Sequence, residues 1–466
     1  MYMSNKKQSP QLDLFTPVYE VFHELCLLLL EVGKEVFKWS YKKAFNKLPE
    51  LEKIDRKALS VKKTTEVEDA LGIDTKSRKE FLLNEIDFRR HSFIVGASGF
   101  GKTNLMSILQ EHTLRKNKPI IFFDPKGDME ALNTFKGICE KYERPCYIFS
   151  EHYDDSISLN PVLEGTVNQV VDRIMRSFEW SEPYYRDASR RSLTQVLKLL
   201  EMEGQAFTLQ AIFDELVKME SKENIGLIAK IEAILESDFG KILNSEREGL
   251  TLSKIRDERA CLYIGLSTQG YGETAMSVGK LFLGELLYNS YKTLSAKDDP
   301  EGGLKNPISV YFDEFGSLVT PEFIELQNKC RGAGIELTLA VQTASDIDRI
   351  DPDLTKQVIE NAGNLFVLKQ RLDNSASLFA DAIGTITSKK ETFMMEDGQQ
   401  QSKGSIREVN ELLVHPDIIK NLRIGQCVLL RQGPTRINLI NVRNRKMDDF
   451  KKLNRLKSKN SQALNI

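Results

Sequence analysis

Residues 96–103 read Gly96-Ala97-Ser98-Gly99-Phe100-Gly101-Lys102-Thr103, and their spacing matches a phosphate-binding loop. Small residues at Gly96, Ala97, Gly99 and Gly101 let consecutive backbone N–H groups turn inward around phosphate oxygens. A helix starting there adds the positive end of its dipole. Lys102 supplies a point charge for the β- and γ-phosphates, and the Thr103 hydroxyl is a hard oxygen ligand for Mg2+. Ser98 and Phe100 complete the loop and Asn104 opens the helix beyond it, so residues 96–104 are the candidate nucleotide-binding set. The flanks fit: Ser92 to Val95 reads as a short buried strand, and Leu105, Ile108 and Leu109 recur at helical spacing within 104–114.

A chain of 466 residues exceeds a single core, which implies two domains plus extensions. The net charge of -2 excludes a protein that coats nucleic acid with its whole surface, so any DNA contact must be local. Cys26, Cys139, Cys146, Cys261, Cys330 and Cys427 form no C-x-x-C pair, which favours reduced thiols in a cytosolic compartment over disulfides or zinc. His91, beside the loop, reads as a packing or strand-edge residue. The most apolar run, Leu25 to Leu30, is flanked by Glu24 and Glu31 and falls far short of the roughly 20 residues of a spanning helix. It reads as a core or interface helix.

Apolar residues from Val18 to Trp39 recur at three- and four-residue spacing, and residues 34–63 carry ten Lys/Arg against four Asp/Glu. Residues 1–84 are therefore expected to be an amphipathic and basic extension. Pro119 to Phe123 is an apolar strand ending in Asp124-Pro125-Lys126-Gly127-Asp128, where open α/β sheets bind ligands, although a plain turn explains those residues equally well. Residues 167–256 show helical periodicity, the pattern of an all-α insertion between the two parts of a nucleotide-binding domain, 85–166 and 257–443. Strands resume at Leu262 to Leu266. Ile308 to Phe312 is a further buried strand, and it ends in Asp313-Glu314. Downstream of a phosphate loop, Asp313 is expected to hold the Mg2+ shell and Glu314 to orient and deprotonate the attacking water. Next come Arg331, a strand Glu336 to Val341 ending at Gln342, a strand Leu365 to Leu368, a polar loop Glu396 to Gly404, and a hairpin of Cys427 to Arg431 and Arg436 to Val442. Residues 444–466 form a basic tail.

GASGFGKT, FFDPKGD, SLNP, PYYRDASRRSL, YFDEFGSL, KCRGAGIELTLAVQ and SIREVNELLVHPDIIKNLRIGQCVLL occur in an order and spacing that resembles the TraG/TraD-type coupling ATPases of type IV secretion and conjugation. The resemblance covers roughly residues 85–443 and extends in part to the FtsK/HerA translocases. It implies an α/β RecA-like P-loop domain with an inserted all-α domain, ATP and Mg2+ as ligands, and a homo-oligomer, a hexamer, with nucleotide between subunits. The implied partners are single- or double-stranded DNA, a relaxase with other relaxosome proteins, and type IV secretion channel proteins. The implied location is cytoplasmic, at the inner face of the bacterial inner membrane. By motif, Lys102 and Thr103 take the phosphate and Mg2+ roles, Asp313 and Glu314 the Walker B pair, and Gln342 the γ-phosphate sensor. Arg331 corresponds to an arginine that reaches a neighbour's nucleotide. Family members usually carry N-terminal membrane-spanning helices, and the amphipathic segment here implies peripheral contact or recruitment by a partner. A nucleotide-switched docking hub and a double-strand DNA translocase are the alternative functions.

Overall fold

The computed structural model describes residues 51–243, 251–296, 306–396 and 399–445. The amphipathic stretch 18–39 and most of the basic tail lie outside them. Thirteen strands are described: β1 (Gly72–Asp74), β2 (Glu80–Phe81), β3 (Ser92–Val95), β4 (Ile120–Asp124), β5 (Cys146–Phe149), β6 (Cys261–Gly265), β7 (Ile308–Phe312), β8 (Ile335–Val341), β9 (Asn364–Val367), β10 (Thr385–Glu396), β11 (Gln399–Leu412), β12 (Gln426–Arg431) and β13 (Arg436–Val442). Eleven form one sheet in the order β2-β1-β13-β12-β9-β3-β8-β7-β4-β6-β5. The seven from β9 to β5 are parallel, and β12, β13, β1 and β2 extend the sheet antiparallel beyond β9.

The central strands are buried at every position, which is why they read as unbroken apolar runs rather than alternating ones. Their side chains still alternate between two cores. Ile94, Phe122 and Tyr311 meet α1 (Lys102–Arg115) and α2 (Met129–Lys141) on one face. Phe93, Val95, Phe123, Val310 and Phe312 meet the helices of the other. Phe123 and Phe312 stack at 4.6 Å, which locks β4 beside β7.

Between β5 and β6 the chain is largely helical: α3 (Val167–Ser177), α4 (Pro183–Met202), α5 (Leu209–Lys218) and α6 (Ile225–Glu236) are followed by short helices Gly240–Leu243 and Leu252–Asp257. Local chemistry sets the starts: Thr166 and Gln169 form a capping box, Pro183 opens α4, and the Thr208 hydroxyl accepts from Ala211 N–H. Leu193, Leu197, Ile212, Leu216, Leu227 and Ile231 are buried together. On the sheet side, α3 packs against α7 (Thr268–Ser295), a helix interrupted at Gly272, and α7 packs in turn on α8 (Pro321–Cys330).

The sheet starts earlier than the expected boundary at residue 85. Gly72 and Ile73 are short for a strand signal, but a long-range partner, β13, holds them. A Cβ on Gly72 would lie 2.0 Å from the Asn441 carbonyl oxygen, so only glycine allows this approach. The expected polar loop at 396–404 also differs. Residues 399–404 lie in a strand of a separate ribbon, β10 paired antiparallel with β11, whose base is tied by Lys390 and Lys53 to Glu411 at 2.8 and 3.2 Å. Arg445, placed in the tail by sequence, is drawn inward. With Arg443 it flanks the buried Glu111 at 3.1 and 2.6 Å.

Removing one member of such a buried cluster leaves uncompensated charge. Glu111→Ala is expected to destabilise the fold by about 3 kcal/mol in urea unfolding, while Glu232→Ala at an exposed position of α6 changes it by less than about 0.5 kcal/mol.

Candidate functional site

Neighbouring parallel strands release their chains at the same edge of a sheet, and that edge collects the site. Gly96 follows β3, Gln342 follows β8, Asp313 and Glu314 follow β7, and Lys126 follows β4 within three residues. Gly99 and Gly101 have φ of 80° and 99°, and Gly101 caps α1, so the loop turns its backbone toward the helix N-terminus. The Lys102 ammonium is buried and donates to the Gly96 carbonyl at 2.8 Å. Burial pushes its pKa down, and the carboxylates of Asp313 and Glu314 oppose that shift. Thr103 is exposed on the first turn, and Ser98 and Gly99 are exposed at the loop's crest. Ala97 N–H bonds the Lys369 carbonyl at 3.0 Å, and the Lys369 and Arg371 cations stand 5.1 and 5.9 Å from the Phe100 ring.

Asp313 is buried, and burial raises its pKa, with the charge of Asp124 adding to the rise. Asp124 is itself raised by burial, although Tyr263 Oη–H (2.6 Å), Lys126 N–H (3.0 Å) and Asp128 N–H (3.0 Å) all donate to it. Two crowded carboxylates beside an exposed threonine hydroxyl fit a hard divalent cation. Among the described residues no group of three or more His, Cys, Asp or Glu could hold a metal alone.

Glu314 has φ of 42°, a left-handed conformation that costs a non-glycine residue about 1 kcal/mol or more and turns its side chain along the edge. Its Oε1 accepts from Gln342 Nε2 at 2.8 Å and pairs with Lys126 Nζ at 2.5 Å. Gln342 is set by Asp346, whose Oδ2 accepts from the N–H groups of Gln342 (3.1 Å) and Thr343 (2.9 Å). The structure thus brings together Lys102, Asp313, Glu314 and Gln342, all singled out in the sequence. Lys126 and Asp346 were not assigned roles there. Asp346 carried a faint signal, an acidic residue four positions after Gln342 able to cap the strand end.

Two further sequence-derived residues have surroundings of their own. Arg331 is exposed at the C-terminus of α8, ahead of β8, and the seven residues of β8 put it roughly 20 Å from the phosphate loop of its own chain. The Asn104 side chain bonds within the protein. Its amide nitrogen donates to the Arg443 carbonyl at 2.8 Å and its oxygen accepts from Arg445 N–H at 3.1 Å, because the first turn of α1 packs on the chain leaving β13. His91 is structural: Nε2 meets the Gln327 carbonyl at 2.8 Å, Nδ1 accepts from Leu337 N–H at 3.1 Å, and burial holds its pKa down at about 4.

Beside Gly101 and Asn104 opens a cavity of about 340 Å3, walled also by Lys62, Thr64, Gly425 and Asn444, with exposed Ile424 at its edge. Sequence reading missed this site because its walls come from segments more than 300 residues apart. Arg423 and Gln426 join them by bonding the carbonyls of Val61 and Leu59.

A family model described as the central domain of the helicase HerA matches residues 76–259, and one described as the TraM recognition site of TraD and TraG matches 307–423. Over those two stretches the chain is similar to the HerA central domain and to the TraM recognition site of TraD and TraG. The fold agrees with that of the conjugative coupling protein TrwBdeltaN70 in its unbound form, at TM-score 0.60 and 16% identity over 78% of this chain and 86% of that one. TrwB in complex with ADP and Mg2+ gives 0.58 and 15%, over 78% and 87%. VirB4 of Thermoanaerobacter pseudethanolicus gives 0.55 and 13%, over 82% and 97%. An uncharacterized protein of Mycoplasma pneumoniae is 31% identical over 70 residues, 14% of this chain, and the match spans 58% of that curated relative's length.

The Asp346 bonds to the Gln342 backbone generate a prediction. Asp346→Ala is expected to leave nucleotide binding within about threefold of wild type and lower nucleotide turnover at least about tenfold, measured by titration calorimetry and steady-state phosphate release.

Proposed function

We propose that this chain is a coupling ATPase of type IV secretion or conjugation. In this reading it recruits relaxase-bound DNA, or protein substrate, to the secretion channel and hydrolyses ATP to drive or gate transfer. The observation that carries it is the convergence of Lys102, Asp313, Glu314 and Gln342 at one strand edge, in a chain that matches both family models. Bound MgATP supplies the scissile phosphoanhydride and a cation that spreads its charge. Backbone N–H groups of residues 96–101 and the Lys102 ammonium bind phosphate. Thr103 and Asp313 offer the oxygens for Mg2+. Glu314 takes the proton of the attacking water, and Gln342 holds that carboxylate in place. The cavity at Gly101 and Asn104 takes the ribose and base, with Ile424 as an apolar face for the base.

Arg331 faces away from its own loop, so a transition-state role requires a neighbouring copy, as in a ring such as a hexamer. DNA, single- or double-stranded, would be held locally by loops, since the net charge gives no general affinity. Relaxase, relaxosome and channel proteins are the proposed partners. No helix among the described residues is long and apolar enough to cross a membrane. Contact with the inner face of the bacterial inner membrane is therefore assigned to the amphipathic residues 18–39 or to a partner.

The test is ATPase rate against protein concentration, with and without single-stranded DNA. The rate per subunit is expected to rise with both, Lys102→Ala to abolish binding or turnover, and Glu314→Gln to bind ATP without hydrolysing it. Wild-type turnover in Glu314→Gln would remove Glu314 as the base, and a flat, DNA-indifferent rate would favour a docking hub. Arg331→Ala alone is expected to be inactive, with partial activity regained on mixing with Lys102→Ala. Ile424→Ala is expected to raise the KM for ATP about fivefold with kcat unchanged.

A further inference from the structure

Lys126 stands at the site without a role in the reading above. Its backbone is fixed: its own N–H and that of Asp128 bond the buried Asp124, and Gly127 sits so close to Ser267 that a Cβ there would lie 2.4 Å from the serine oxygen. Only the side chain is free to move. It is about 43% exposed, and Glu314 is its sole ion-pair partner among the described residues. A half-exposed pair of this kind adds little stability, so the lysine is not needed to hold the fold.

The pair has a chemical consequence instead. Glu314 Oε1 already accepts from Gln342 at 2.8 Å, and the Lys126 ammonium at 2.5 Å occupies the same oxygen. A carboxylate oxygen with both donors in place has little capacity left for the proton of a water. Lys126 is also near enough to Lys102 for its charge to oppose that ammonium's protonation. Two lysines converging on one edge suit a ligand of several negative charges, and a terminal phosphate outcompetes a single carboxylate for a flexible ammonium.

We propose that Lys126 is a further catalytic residue, one that holds Glu314 in the nucleotide-free protein and moves to the γ-phosphate of a bound nucleoside triphosphate, releasing Glu314 Oε1 to act as base. The inference rests on the nucleotide-hydrolysing reading of the site. Water oxygen then bonds the γ-phosphorus, its proton passes to Glu314, and ADP leaves with the electrons of the broken P–O bond. A diphosphate has no γ-phosphate and leaves the ion pair intact, so the lysine reports which nucleotide is bound.

The experiment is a double-mutant cycle of Glu314→Gln and Lys126→Met on the full chain, read by calorimetric binding of Mg2+-AMP-PNP and Mg2+-ADP. Glu314→Gln frees Lys126 and is expected to tighten AMP-PNP about tenfold and ADP less than about twofold. In the Lys126→Met background the same change is expected to have no effect on either ligand, and Lys126→Arg is expected to preserve the AMP-PNP preference. Tightening that persists in Lys126→Met, that is equal for the two nucleotides, or that never occurs overturns the proposal while nucleotide binding stands. A positive cycle in a protein that does not hydrolyse ATP removes the enzymatic reading but leaves the lysine's movement established. A wild-type chain that binds neither nucleotide removes both.

Discussion

Everything at the site depends on the two-sided pairing of β3. Ser92 to Val95 lie in parallel register with Thr338 to Val341 on one side and Asn364 to Val367 on the other, so Gly96, Gln342 and Leu368 leave the sheet in one row. The row is tight: a Cβ on Gly96 would lie 2.7 Å from Leu368 Cβ. Backbone hydrogen bonding thus sets where the phosphate loop begins and where the chain reaches the glutamine that touches Glu314, and the Asp346 carboxylate then fixes the turn that follows. A shift of one residue in either register would turn the strand's side chains to the wrong core and misplace the loop together.

Several buried charges have a partner built in. Lys118 pairs with Glu336 at 2.8 Å, Arg431 with Asp87 at 3.1 Å, and Arg443 with Glu111, each linking elements far apart in sequence. At the phosphate-loop edge the balance is incomplete: Asp124 and Asp313 crowd each other, and Lys102, which donates to the Gly96 carbonyl, has a second ammonium, Lys126, near it as well as the carboxylates of Asp313 and Glu314. A structural pair cancels its charge inside the chain, whereas this edge leaves a need that a cation and a polyanion can meet together.

Much of this was legible beforehand. Strands buried on both faces announce themselves as unbroken apolar runs, and β3, β7 and β13 fell at the residues expected. GASGFGKT and the Asp313-Glu314 pair declared their chemistry because each residue type has a local job. What stayed hidden was non-local. β1 and β2 are too short to show a period and exist because β13 and each other supply the hydrogen bonds. Residues 396–404 are polar and show no apolar alternation, so they read as loop although 399–404 lie in a strand, and the hairpin signal Asp397-Gly398 was passed over. Lys126 looked like part of a turn, and it is; its ammonium matters only because β4 happens to lie beside β7. Cys146 and Cys261, far apart in the chain, become direct register partners in β5 and β6.

The pairing of β1 with β13 also bears on biosynthesis. Gly72 to Asp74 emerge from the ribosome early, yet their partner, Ile440 to Val442, is made some 370 residues later. Until then β1 has only the two-residue β2 beside it, too little to hold a strand in water. The phosphate loop, Asp313 and Gln342 are all translated before that edge can close. Its completion is therefore a late event in the life of each chain, and a nascent chain halted short of residue 440 would carry the site's parts on a sheet still open at one side.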